Sequence, residues 1–291
     1  MSADNKIIDI HCGWGATAAA PYWNTVDTIR SSMQIRGITT VMVSSLLARR
    51  YDVIAGNEAL AGVLPSEPPT EGTDVRGWFV IHPARTRDVL HQMREYLYSP
   101  MFVGAALYAD PVTGVPVTVS DAHDLVTGFR RYGKPLLVEV PTADAMREAL
   151  RIADDLAGVR IIASGMGGDD WREAIAMSTR ASNMALDISG ALVPEKIEYA
   201  IEILHGTRKL LFASGAPHTD PAAVLALLDE LDLADEDRHR ILHGNAERLF
   251  GMETTTEVPV NLMPMDGVVA NYLVGREEEA ETPAESVETS E

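Results

Sequence analysis

Short apolar runs rich in Ile, Val, Leu and Phe alternate with longer amphipathic segments along the whole chain. Apolar runs of four to eight residues predict buried strands, and a period near 3.6 predicts helices. Their alternation predicts βα units around a parallel sheet. Eight strands are expected, at Ile7–Ile10, Thr39–Val43, Trp78–Ile81, Phe102–Tyr108, Pro135–Val138, Arg160–Ala163, Met184–Ile188 and Leu210–Ala213. The helices between them have readable ends. Asn24 and Thr25 are expected to cap a helix that stops at Gly37, Asp121 one that stops at Gly133, and Thr142 one that runs to Gly158, while Pro194 sits in a first turn. Eight strands at this spacing predict an α/β fold, a (β/α)8 TIM barrel. An open doubly wound sheet usually has five or six strands and often a glycine-rich loop after the first, whereas here the glycines that follow stand at 13 and 15.

Length and composition agree with that fold. The 291 residues suit one large domain, placed at 1–252, followed by an apolar, proline-containing strap at 253–275 (its core Val258–Val274) and an acidic tail at 276–291 expected to be disordered. The net charge is -19, and seven glutamates with no basic residue fall in 277–291, which leaves the body at -12. Lysine supplies only four of the 24 basic residues, at 6, 134, 196 and 209. Such a field repels phosphate backbones and anionic lipids, so no nucleic acid and no membrane is expected as partner. The single cysteine, Cys12, excludes an intrachain disulfide and a cysteine-cluster metal site. No signal-like or spanning apolar run is found, and a cytoplasmic location is expected.

In a barrel the chemistry projects from the C-terminal ends of the strands. Those ends carry His11 and Cys12, Ser44 and Ser45, His82, Tyr108 and Asp110, Glu139, Ser164 with GMGG behind it, Asp187 and Ser189, and SGAPH at 214–218. At these positions IIDIHCGWG, FVGAALYADP, KPLLVEVP, IIASGMGGDDW, NMALDISG, LLFASGAPH and HGNAERLFG follow one another in register. Together they resemble the amidohydrolase-related family that contains aminocarboxymuconate semialdehyde decarboxylase and γ-resorcylate decarboxylase, over nearly all of residues 6 to 251.

The resemblance implies a mononuclear divalent metal, commonly zinc, held by a His-x-His pair on strand one, a histidine on strand five and an aspartate after strand eight. It also implies an assisting histidine before Met-Gly-Gly. This chain departs from that pattern at most of these positions. His11 keeps the first place of the pair, but the second is Gly13. Glu139 stands for the strand-five histidine, Gly165 for the assisting one, and Gly215 for the aspartate. A catalytic zinc generally takes three protein ligands and water, and His11 with Glu139 supplies two. His82, His218 or Asp187 would have to complete a relocated site.

No cofactor is therefore expected, with zinc or another divalent ion only if such a site exists. The leading expectation is a catalytically impaired homologue that binds a small molecule or partners an active paralogue, and the expected assembly is a homodimer or a hetero-oligomer with that paralogue. The alternative is an active hydrolase or decarboxylase that uses either a shifted metal or a metal-free acid–base pair of His11 and Glu139. Substrate contacts are expected from His82, Tyr108, Asp187 and His218. Cys12, next to His11 in a strand, is expected to point away from the lumen. His239 and His243 read as a helix-end pair, and Asp169 with Asp170 as caps for a helix beginning near Trp171.

Overall fold

A computed structural model describes residues 6–110 and 115–252. The strap and the acidic tail lie outside the described residues. Eight parallel strands pair in sequence order: β1 (Ile8–Trp14), β2 (Thr40–Ser45), β3 (Asp74–Ile81), β4 (Phe102–Leu107), β5 (Leu136–Glu139), β6 (Ile161–Ser164), β7 (Met184–Asp187) and β8 (Leu210–Leu211). Backbone bonds from Ile10 N to Phe212 O (3.1 Å) and from Gly215 N to His11 O (2.9 Å) join the first strand to the last segment and close the barrel.

Strands covered on both faces must be apolar nearly throughout. Thr40–Ser45 is accordingly buried at every position, and Trp78, Phe79, Phe102 and Phe212 are fully enclosed. Buried polar groups in this core act as clamps. Asn57 exchanges two bonds with the Val80 backbone (2.8 and 3.0 Å), and Asn245 of the HGNAERLFG motif donates to Thr207 O and Leu210 O, both at 2.8 Å. Each side-chain amide stands in for a missing ladder partner, without which those groups would be buried unpaired.

All eight expected strands are present, with shifted ends. The first runs on to Trp14 through a register shift between Asp9 and Cys12, and the last keeps only two paired residues. Thr25 and Thr142 cap their helices as expected, accepting from Thr28 N and Ala145 N. Two caps differ. Thr118, not Asp121, caps the helix Val119–Phe129, since its hydroxyl accepts from Asp121 N at 3.2 Å. Asp170 makes no cap of its own helix, and its Oδ2 accepts instead from Ala143 N of the neighbouring helix at 3.4 Å. His243 is buried between His239 (3.0 Å) and Glu247 (3.0 Å), and Glu247 also meets Lys6 at 2.5 Å, so the pair ties the last helix to the start of the chain. Among the described residues no helix is long and apolar enough to cross a membrane.

Candidate active site at the barrel mouth

His11 ends up in a buried polar network. Its Nδ1 lies 3.1 Å from Asp187 Oδ2 and 2.6 Å from Ser164 Oγ, and its Nε2 lies 3.4 Å from the Tyr108 hydroxyl. A carboxylate can only accept, so Nδ1 donates to Asp187. Burial pushes the Asp187 carboxyl up, but hydrogen bonds from His11, Ser164 and Ser189 and the nearness of His11 outweigh it, and the net shift is downward. Gly165 N and Ser189 N also donate to Asp187, each at 3.2 Å. Asp187 is thus a charged, fully buried anchor that orients His11. Tyr108 donates to Ser44 Oγ at 2.8 Å, and burial, opposed by Arg49, pushes its hydroxyl up to about 12, so it stays neutral.

Above this network sits a cation that sequence reasoning missed. Ser45 caps a short helix, Leu46–Arg50, by accepting from Ala48 N at 3.2 Å, and this turn swings Arg49 over the mouth. The Arg49 guanidinium lies 3.8 Å from the Tyr108 ring centroid, and its Nη2 is 3.1 Å from Glu139 Oε1. Glu139 Oε2 accepts from Ala109 N at 3.1 Å. No hydrogen bond joins His11 to Glu139, the pair expected from the sequence: the imidazole is held by Asp187 and the carboxylate by Arg49. The signal available in the sequence was the Arg49-Arg50 pair a few residues beyond the end of β2.

The remaining candidates are spread around the rim. His218 is exposed, with Nε2 accepting from Arg50 Nη2 at 3.1 Å, and burial followed by the charges of Arg50 and Arg49 lowers its pKa. His82 accepts from Ala84 N at 3.2 Å as the cap of a 3-10 turn and does not reach His11. Arg49, Arg50, Tyr108, Asp110 and Glu139 line a cavity of about 220 Å³. A neighbouring cavity of about 410 Å³ shares Arg49, Arg50 and Asp110 and adds His82. A much larger hollow of about 1030 Å³ lies along the outer helix Thr86–Tyr96 and shares no lining residue with these two. Cys12 is buried against Ser214 Oγ at 3.4 Å, and burial with the nearby Asp9 charge raises its thiol well above the ordinary value, which makes it a core thiol.

The residues present do not fit the implied metal. Among the described residues no group of three or more His, Cys, Asp or Glu is gathered to hold an ion. A Cβ added at Gly13 would lie 2.6 Å from Leu46 Cδ2, so leucine fills the space a second histidine would need. Gly165 and Gly215 have φ of +94° and +74°, backbone that side chains rarely adopt. Glu139, at the position matched to a ligand, already faces a fixed guanidinium that would repel a second cation.

Solved structures similar to this chain include 2,6-dihydroxybenzoate decarboxylase from Rhizobium, at 16% identity and TM-score 0.67, over 86% of this chain and 100% of that one. A dihydroxybenzoic acid decarboxylase from Polaromonas, with bound manganese and 2-nitroresorcinol, gives 16% and 0.66, over 86% and 98%. A probable 2-pyrone-4,6-dicarboxylic acid hydrolase from Acinetobacter baumannii, with citric acid bound, gives 14% and 0.59, over 84% and 99%. At these identities the likeness is one of fold. No curated protein matches the chain. The family profile described as Amidohydrolase matches residues 72–252, more than half of the length, and the chain belongs to the amidohydrolase family.

Proposed function

We propose that this protein is a member of the amidohydrolase family that has given up metal-dependent turnover and holds a small carboxylate-bearing molecule at the barrel mouth. The observation that carries this reading is Arg49, whose guanidinium bonds Glu139 at the mouth and supplies the positive charge there. Arg50, at the rim of the same cavity, has His218 as its one side-chain partner among the described residues, so most of its donors are left over. Guanidinium forks match carboxylate oxygens two at a time, and the similar structures include enzymes named for dihydroxybenzoate and pyrone dicarboxylate. The test is a calorimetric titration with 2,6-dihydroxybenzoate, in the presence and absence of a chelator, alongside metal analysis of the purified protein. Binding that is indifferent to the chelator and lost in Arg49→Met supports the reading. One tightly held ion per chain, removable with loss of binding or turnover, ends it.

A second reading is favoured by the Asp187–His11 contact at 3.1 Å, the arrangement that makes an imidazole a competent base. In it, His11 Nε2 accepts a proton from a bound substrate once Tyr108 and Arg49 move aside. Turnover that persists under chelation and disappears in both His11→Gln and Asp187→Asn would favour this reading over simple binding.

A further inference from the structure

The opposite end of the barrel carries a cluster of cations that the mouth does not account for. Arg160 precedes β6, Arg208 and Lys209 precede β8, and Arg248 lies on the helix Asn245–Phe250. With Asn183 and Asn245 they line a cavity of about 320 Å³ whose floor is Met184, Ala185 and Leu211. The chain has 43 acidic residues against 24 basic ones, yet no Asp or Glu lines this cavity.

The side-chain bonds of Arg160, Lys209 and Arg248 go to uncharged groups. Arg160 Nη2 donates to Gly133 O (3.3 Å), Lys209 Nζ to Ala181 O (2.9 Å), and Arg248 Nη2 to Arg208 O (2.9 Å) and Asn245 Oδ1 (3.0 Å). Arg208 makes no side-chain hydrogen bond or ion pair among the described residues. These bonds fix where the cations sit without neutralising them, and each guanidinium has donors left over from its five. Four like charges around one small hollow repel one another, and a multiply charged anion relieves that repulsion. Guanidinium forks fit phosphate oxygens bidentately, and the volume lies at the small end of ligand sites, roughly 300–1,000 Å³.

We propose that this cavity is a second binding site, separate from the mouth, for a small molecule carrying a diphosphate group. The full-length protein is titrated by calorimetry with sodium pyrophosphate and with ADP. The expected result is saturation at one molecule per chain. Tighter binding of ADP than of pyrophosphate then assigns a nucleotide, and equal or weaker binding assigns the free anion. Arg208→Gln removes a charge without removing any hydrogen bond, and with Arg248→Gln it should weaken binding at least tenfold while far-ultraviolet circular dichroism stays unchanged. Arg50→Gln, at the mouth, should leave the affinity as it was. The proposal is overturned by no saturable binding of either anion, by equal binding in the Arg208→Gln variant with Arg248→Gln, or by loss of binding in Arg50→Gln.

Discussion

Replacing Arg49 with methionine tests whether a fixed arginine charge organises the mouth. Methionine keeps an unbranched stem but removes the guanidinium. The lost bond to Glu139, 3.1 Å long between side chains 14% and 27% exposed, belongs to the charged class worth roughly 1.5–3 kcal/mol when well buried. Partial exposure brings it nearer the lower figure. The stack on Tyr108 at 3.8 Å adds about 0.5–1 kcal/mol, so the variant should lose about 2 kcal/mol of stability. For a domain of this size each kcal/mol moves the melting temperature by roughly 2–4 °C, which gives a fall of about 4–8 °C. Glu139 keeps its bond from Ala109 N, so its carboxylate stays in place with one oxygen unpaired. Adding Glu139→Gln removes that orphan charge, and the double variant should be more stable than the sum of the single changes by about 1 kcal/mol. Four guanidinium chloride unfolding curves at neutral pH measure this cycle. An Arg49→Met protein that melts like the parent, or a coupling under about 0.3 kcal/mol, would mean that the guanidinium is solvated and organises nothing.

Two buried carboxylates should respond to pH in opposite senses. Asp187 has its pKa lowered in the fold, so its contribution is present above the unfolded value near 3.8 and fades as pH falls through the folded value; the cost of Asp187→Asn should shrink in acid. Asp9 has its pKa raised, by burial above all, and its Oδ2 has no hydrogen-bond partner, so its contribution is complete in acid and is lost as pH rises through the folded value. Relative to the parent, Asp9→Asn should therefore look better at pH 8 than at pH 4, and denaturation at the two pH values that gave the reverse order would refute this. Gly13→His should cost about 1–3 kcal/mol for overpacking against Leu46 and still purify with far less than one zinc per chain, because Arg49 and two other glycines remain. A stoichiometric ion in that variant would show that a single missing ligand had been the obstacle.

The barrel was legible because parallel strands enclosed on both faces must be written as apolar runs, and because helix ends carry their own chemistry. Thr25, Thr142 and Pro194 could be placed from local rules, since a cap's partner lies within three residues of it. Asp121 and Asp170 could not. Thr118 reaches the same helix first, and Asp170 serves a helix 27 residues earlier in the chain. The absence of side chains at Gly13 and Gly215, matched to metal ligands, and at Gly165, matched to the assisting histidine, was also plain in the sequence, because it needs no geometry to see that glycine offers no donor atom.

What the sequence could not decide was pairing among the groups that remain. His11 and Glu139 are 128 positions apart, and both stand at strand ends facing one opening, so either could have been the other's partner. The choice fell to residues that strand-end logic undervalued: Asp187, 176 positions from His11, and Arg49, 90 positions from Glu139. Strand order and hydrophobic period are local properties that a chain states directly. Which carboxylate meets which cation depends on barrel closure, which brings distant strand ends to within a few ångströms, and on which contact leaves the least buried charge unpaired.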